Sequence, residues 1–147
     1  MRPVLLIEDD LVDARVVQRA FADLSLASPL IHVTTGEKAL AYLQVESEQL
    51  PCLVLVDLNL PTMSGFDVIK AMQTDEALSW IPIIIITVSE NRLDRDMSLG
   101  LGAVGYIHKA TNYSDVLEAI RTVFENGASS GCPQPSQGAE ESSDGLS

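Results

Sequence analysis

The chain has 147 residues, of which 46% are hydrophobic, a composition that suits one globular domain with a sizeable core. Its formal net charge is −12 with only nine lysines and arginines, which argues against a nucleic-acid partner, because affinity for a phosphate backbone depends on basic side chains. The richest apolar run, residues 81–88, contains Pro82 and is far too short to cross a membrane. We therefore expect a cytoplasmic protein without a membrane partner.

Cysteine usage and the carboxyl-terminal composition bear on the organisation of the chain. Cys52 and Cys132 are too few and too isolated for a disulfide framework or a zinc site, so we expect free thiols. From residue 127 onward Ser, Gly, Pro, Gln and Glu dominate, and Leu146 is the only large aliphatic residue. Such a segment cannot bury enough apolar surface to offset the entropy of ordering it. These features predict a folded domain over residues 1–126 and a disordered tail over residues 127–147.

Five apolar runs of strand length recur along the chain, with helix-period segments after each. The runs cover residues 4–7, 30–33, 53–56, 83–86 and 104–107. The first, third and fourth are nearly continuous Val, Ile and Leu, which is typical of parallel strands covered by helices on both faces. The helical stripes are Leu11, Val12, Val16, Ala20 and Leu24; Leu40 and Leu43; Phe66, Ile69 and Met72; Leu93, Met97 and Leu101; and Val116, Leu117, Ile120 and Phe124. This alternation predicts an α/β domain with a doubly wound, five-stranded parallel sheet of flavodoxin-like type.

Carboxylates follow two of the predicted strands. Glu8, Asp9 and Asp10 come directly after the first strand, and Asp57 comes directly after the third. In the flavodoxin-like strand order 2-1-3-4-5 these two strand ends are neighbours, so Glu8 and Asp9 should lie close to Asp57. Three carboxylates within ~5 Å repel by about 3 kcal/mol per pair at an effective dielectric of ~20, and oxygen-only ligands favour Mg²⁺ as the compensating cation. Taken alone, the first acidic cluster is more typical of a solvated turn at a helix amino terminus than of a metal site.

A hydroxyl and an ammonium are expected at the same edge of the sheet. The fourth predicted strand ends at Thr87 and the fifth at Lys109. Such a pair, converging on a carboxylate and a metal, makes a site for a phosphoryl group, whose oxygens need charge stabilisation during transfer. Taken singly, Thr87 is an ordinary strand-end residue and Lys109 a solvated lysine. The coincidence of all these positions at strand carboxyl ends favours a site.

With these residues the chain resembles the receiver domain of two-component response regulators. The matching residues are Glu8 and Asp9, Asp57, Pro61 and Gly65 in the loop that follows it, Thr87, and Lys109. The resemblance extends over residues 3–125, so the domain over residues 1–126 is identified as a receiver. A narrower likeness, to regulators paired with phytochrome-type kinases, comes from the single-domain length and the segment of residues 78–82.

The resemblance implies a phosphoacceptor and a metal site. Asp57 would accept a phosphoryl group from a histidine kinase or a phosphotransfer protein in a Mg²⁺-dependent reaction. Asp9 and Asp57 would ligate Mg²⁺ together with the backbone carbonyl of Asn59, and Glu8 would orient metal-bound water. The protein would be a phosphoacceptor switch rather than an enzyme acting on other substrates, although it could catalyse its own phosphorylation from small donors and its own dephosphorylation.

The resemblance also implies a route for output. Thr87 and Lys109 would bind the phosphoryl oxygens, and Tyr106 would be a switch aromatic whose orientation follows Thr87. Signalling would then pass to a downstream protein target by protein binding or onward phosphotransfer. The surface of the fourth helix, fifth strand and fifth helix is the candidate for that contact and for a homodimer.

Two alternatives remain open. A haloacid-dehalogenase-like phosphatase also uses an aspartate nucleophile with Mg²⁺, but it needs a second aspartate two residues on, where this chain has Asn59. The other alternative is a degenerate receiver that serves only as a scaffold. It arises because Ala110 follows Lys109, where the family usually has a proline after a cis peptide, and because Val88, rather than a small residue, follows Thr87.

Overall fold

Strands and helices alternate along the chain in the computed structural model, which describes residues 2–45, 50–109 and 112–125. The strands are β1 (Val4–Ile7), β2 (Leu30–Val33), β3 (Leu53–Val56), β4 (Ile83–Thr87) and β5 (Gly105–His108). The helices are α1 (Leu11–Asp23), α2 (Gly36–Val45), α3 (Gly65–Gln73), α4 (Arg92–Leu101) and α5 (Tyr113–Glu125). The expected tail over residues 127–147 and the peptide bond between Lys109 and Ala110 lie outside the described residues.

The five strands form one sheet in the order β2-β1-β3-β4-β5, and every neighbouring pair is parallel. This confirms the predicted flavodoxin-like, doubly wound α/β fold. β1 and β3 lie side by side with Ile7 opposite Val56, so the residues that follow both strands emerge at the same edge. The chain leaves β1 toward β2 on one side and places β3 on the other, which opens a crevice at this switch point.

Both faces of the sheet are covered by helices. Every residue of β1, β3 and β4 is buried, which explains why these strands appear in the sequence as continuous apolar runs. On one face α1 and α5 complete the core, where the rings of Phe21 and Phe124 meet edge to face with their centroids 5.6 Å apart. On the other face α2 and α3 contribute Leu43 and Ile69 to a second core layer. The sheet is therefore a rigid platform for residues at its carboxyl edge.

In two helices, apolar residues that recur at helical spacing in the sequence lie away from the core. Leu11 and Val12 are exposed because the first turn of α1 begins at the carboxyl edge of the sheet rather than over it. The residues that α1 buries are Ala14, Val17, Ala20 and Phe21. In α4, Leu93 and Met97 are also exposed, and the buried residue is Ser98. The apolar side chains at these positions therefore face solvent instead of the core.

Two expectations drawn from composition can be compared with the fold. Cys52 is buried and disulfide-bonded, so the expectation of a free thiol is wrong for this residue. Cys132 lies outside the described residues. Over residues 2–45, 50–109 and 112–125, no helix has the length and apolar character that crossing a bilayer requires.

Candidate functional site

An acidic pocket lies at the carboxyl edge of the sheet, where β1 and β3 end. Glu8, Asp9 and Asp57 each place a carboxylate oxygen within 4.8 Å of the other two. Glu8 is fully buried and Asp57 is only 5% exposed, whereas Asp9 faces solvent. Sheet pairing fixes these positions, because the backbone N–H of Asp57 donates to the carbonyl of Ile7 at 3.1 Å and that of Glu8 donates to the carbonyl of Val33 at 3.0 Å. The chain therefore holds three carboxylates together in a place with limited access to water.

The ammonium of Lys109 enters this pocket from the end of β5. Its Nζ donates to Oδ2 of Asp13 at 2.9 Å, to Oδ2 of Asp57 at 3.1 Å and to Oε1 of Glu8. The lysine side chain is only 9% exposed, so all three ammonium hydrogens are directed to carboxylates rather than to water. Lys109 is therefore a buried cation of the site and not a solvated surface lysine.

Asp13 is a site residue that the sequence analysis did not select. It lies in the first turn of α1, and its carboxylate reaches Lys109 from the helix rather than from a strand end. The available signal was its place in the helix that directly follows the acidic cluster of residues 8–10. That turn is held to the cluster, because Oδ1 of Asp10 accepts hydrogen bonds from the backbone N–H groups of Val12 and Asp13.

Burial governs the electrostatics of the pocket. Loss of hydration raises the pKa of Glu8 to about 7; the charge of Asp57 adds to this, and the hydrogen bond from Lys109 opposes it. Burial by itself would lower the pKa of Lys109, but its hydrogen bonds to Glu8 and Asp13 outweigh that effect and raise the pKa. The pocket therefore has more negative charge than its single ammonium can compensate.

The donor set suits a hard divalent cation. Carboxylate oxygens are the ligands that Mg²⁺ prefers, and the exposed Asp9 borders solvent, from which the ion can keep several waters. Asn59 is exposed, and its backbone N–H donates to Oδ1 of Asp57 at 3.2 Å, so the loop after β3 turns back over the carboxylate. The residues present therefore fit a magnesium site, and the loop already orients the carboxylate of Asp57.

A close backbone approach holds this loop against Asp57. The N–H of Gly65 donates to the carbonyl of Leu58 at 3.0 Å, and a Cβ at position 65 would lie 2.5 Å from the carbonyl oxygen of Asp57. Only glycine fits at such a distance. The next helix begins here, because Ser64 and Asp67 form a reciprocal capping box at the start of α3. The glycine seen in the sequence thus has a packing role beside the candidate acceptor.

Thr87 and Tyr106 hold one residue of the loop between β4 and α4. The hydroxyl oxygen of the buried Thr87 accepts from the backbone N–H of Ser89 at 3.3 Å. The phenolic hydroxyl of Tyr106 donates to the carbonyl of the same Ser89 at 2.9 Å. The Ser89 hydroxyl in turn donates to Asp94 of α4 at 2.8 Å. Ser89 therefore links the strand end at Thr87 to both Tyr106 and α4.

Fold and site together define a class of protein. The family model of the response regulator receiver domain matches residues 4–121, and the chain belongs to this family. Response regulator Rcp1 from Synechocystis sp. is 32% identical over 124 residues, which cover 82% of this chain and 84% of Rcp1.

Solved structures of response regulators are also similar to this chain. The phosphorylated cyanobacterial phytochrome response regulator RcpA has a TM-score of 0.78 and 31% identity, with coverage of 91% of this chain and 98% of that chain. The Mn²⁺-bound form of Rcp1 has a TM-score of 0.75 and 31% identity, with coverage of 84% and 91%.

Proposed function

We propose that Asp57 is the phosphoacceptor of a two-component response regulator and receives its phosphoryl group from a histidine kinase or a phosphotransfer protein. The observation that carries this proposal is the environment of Asp57, a nearly buried carboxylate between two further acids and the ammonium of Lys109. A metal held by the acids and a fixed cation opposite it would neutralise the charge of a transferring phosphoryl group. Membership of the receiver family supports a histidine kinase or a phosphotransfer protein as the donor of the phosphoryl group.

The reaction is an in-line displacement. A carboxylate oxygen of Asp57 attacks phosphorus while the bond from phosphorus to the donor's imidazole nitrogen breaks, so an acyl phosphate forms and the histidine leaves and takes up a proton. Glu8, Asp9 and Asp57, with the backbone carbonyl of Asn59, would hold Mg²⁺, which supplies charge neutralisation at the phosphoryl oxygens when bound. Lys109 exchanges its contact with Asp57 for one with a phosphoryl oxygen, and Thr87 supplies a hydroxyl donor.

Asp57→Asn should abolish labelling when the full chain is incubated with Mg²⁺ and a small phosphodonor. The amide has nearly the same shape and fills the same space, but it has no anionic oxygen to attack phosphorus. Intact-mass measurement should show one added phosphoryl group on the unsubstituted protein and none on the variant. Asp67→Asn in α3 makes the same charge change away from the pocket and should be labelled normally. Continued labelling of Asp57→Asn would show that another residue is the acceptor.

Output is proposed to pass through Ser89 and Tyr106. A phosphoryl group beside Thr87 would draw its hydroxyl away from the N–H of Ser89, and this change would alter the loop that Tyr106 also holds. The face formed by α4, β5 and α5 would then change toward a downstream protein or a second copy of the chain. On that face α4 exposes Leu93 and Met97, so α4 would provide its apolar contacts.

Beryllofluoride with Mg²⁺, which mimics the phosphoryl group, should shift the amide NMR signals of Ser89 and Tyr106. Thr87→Ala should suppress these distant shifts and keep those at the pocket, whereas Thr87→Ser, which keeps the hydroxyl, should retain both. Coupling of this kind changes partner affinity by roughly 5- to 150-fold at most. Shifts confined to residues that line the pocket in the unsubstituted protein would refute the switch role of Tyr106.

The similar proteins suggest which class of histidine kinase donates the phosphoryl group. RcpA is a cyanobacterial phytochrome response regulator, and this supports a phytochrome-type histidine kinase as the donor. The proposed setting is cytoplasmic, with neither nucleic acid nor membrane as partner. The pocket keeps its acids, its buried hydroxyl and its ammonium, which argues against a scaffold without phosphorylation, and Asn59 argues against a phosphatase.

A further inference from the structure

Lys109 has a carboxylate partner to which phosphoacceptor chemistry gives no role. Oδ2 of Asp13 accepts from the lysine Nζ at 2.9 Å, a distance as short as that of a strong charge-assisted hydrogen bond. Glu8 and Asp57, the other two partners, also belong to the group of three carboxylates that lie within 4.8 Å of one another. Asp13 does not belong to that group. It therefore contacts the cation of the pocket without being a candidate metal ligand.

A divalent cation and Lys109 would compete for the same oxygens. The ammonium has three hydrogens, and in the structure they go to Glu8, Asp13 and Asp57. A metal bound by the acidic group would draw on the oxygens of Glu8 and Asp57. Of the three lysine partners, Asp13 is the one that this competition leaves available.

The surroundings of Lys109 make such a partner necessary. The lysine side chain is 9% exposed, and one side of it borders a small cavity of about 50 Å³. The residues that line this cavity are Asp13, Val16, Val17, Ile86, Lys109 and Val116. Apart from the ion pair its lining is aliphatic, so Asp13 is the one carboxylate that the ammonium meets on that side, and the loss of Asp13 would leave it facing apolar side chains there.

We propose that Asp13 is a positioning residue that holds the Lys109 ammonium in the pocket while a divalent cation and a phosphoryl group occupy the oxygens of Glu8 and Asp57. The proposal rests on the proposed function of Asp57. The helix start is suited to this role, because the Asp10 side chain fixes the backbone of the first turn at Asp13. Without Asp13, Lys109 would turn fully to Glu8 and Asp57 and would compete more strongly with the metal.

Titration of the metal-free full chain with Mg²⁺ tests this role. Asp13→Asn should weaken Mg²⁺ binding about tenfold, because Lys109 would then compete more strongly for Glu8 and Asp57. A loss of this size is typical of residues that contact the surroundings of a metal site without binding the metal. In a Lys109→Met background the same substitution should weaken binding about twofold or less, because only the screened field of a partly exposed carboxylate is then lost. Asp13→Glu should recover part of the affinity. Asp23→Asn, at the other end of α1, should bind Mg²⁺ like the unsubstituted chain.

A second readout follows the lysine directly. In metal-free protein the ¹⁵N signal of the Lys109 Nζ should shift in Asp13→Asn and stay in place in Asp23→Asn. An equal loss of Mg²⁺ affinity with and without Lys109 would overturn the proposal, since Asp13 would then act through its charge only. Unchanged Mg²⁺ affinity with an unchanged Nζ signal would also overturn it. Neither measurement uses phosphorylation, so a failure of Asp57 as acceptor would be distinguished from a failure of this proposal.

Discussion

Replacement of Glu8 by glutamine should stabilise the metal-free protein by about 3 kcal/mol at pH 8 and by only about 1 kcal/mol at pH 5. Burial raises the pKa of Glu8 from 4.5 to about 7, so the folded chain at pH 8 carries a buried charge that the unfolded chain keeps in water. Between these two pKa values the folded state holds a proton that the unfolded state has released. The stability contributed by Glu8 therefore falls as the pH rises from about 4.5 to about 7, and the full penalty applies above that window.

Chemical denaturation with a chelator at both pH values measures this effect. Glutamine keeps the length and the acceptor oxygen of the neutral acid, so the comparison isolates the charge. Glu37→Gln is a matched control of opposite sign, because a hydrogen bond from Thr62 lowers the pKa of the exposed Glu37. That variant should gain nothing at pH 8. An equal gain for Glu8→Gln at pH 5 and pH 8 would mean that the buried charge is not the cause.

A costly buried carboxylate is consistent with a site built for a cation. Natural proteins often retain destabilising groups where function requires them. Mg²⁺ should therefore stabilise the unsubstituted protein at pH 8 more than it stabilises Glu8→Gln. Its affinity for the unsubstituted chain should fall as the pH falls below about 7, because protonation of Glu8 removes one negative charge from the pocket.

The sequence predicted the sheet well because its central strands are buried on both faces. The predicted bounds of β1, β2 and β3 agree with the structure, and those of β4 and β5 differ by one residue at the ends. Helix faces were less predictable. Apolar spacing cannot show that the first turn of α1 lies beyond the sheet or that α4 is largely uncovered, so it does not distinguish the exposed Leu11, Leu93 and Met97 from buried side chains.

The site residues, too, could be predicted from the sequence only in part. The carboxylates after β1 and β3 could be placed together because parallel strands carry their ends to one edge. Asp13 could not be selected, since its partner Lys109 is 96 residues away and the contact depends on how far a side chain reaches between β5 and α1. The link from Thr87 through Ser89 to Tyr106 likewise depends on the path of a loop, for which the sequence has no periodic signal.

Lys109→Met should have the opposite effect to Glu8→Gln. The variant keeps the aliphatic stem but leaves Glu8 and Asp57 buried without their cation, which should lower the free energy of unfolding by about 3 kcal/mol at pH 8 without metal. Mg²⁺ should restore much of this loss, and it should bind more tightly than to the unsubstituted chain because no ammonium competes for the carboxylates. Denaturation with and without Mg²⁺ measures both effects.

Two comparisons separate lost charge compensation from lost packing. Lys70→Met removes an exposed lysine of α3 and should change stability by less than about 0.5 kcal/mol. Addition of Glu8→Gln to Lys109→Met should recover at least the whole loss, because Lys109 no longer offsets part of the burial cost of Glu8 and its removal gains more than in the unsubstituted chain, so the two substitutions should be non-additive. If Lys109→Met is as stable as the unsubstituted chain at pH 8 without metal, the carboxylates do not depend on the ammonium. The competition between Lys109 and Mg²⁺, from which the role of Asp13 follows, would then lose its physical basis.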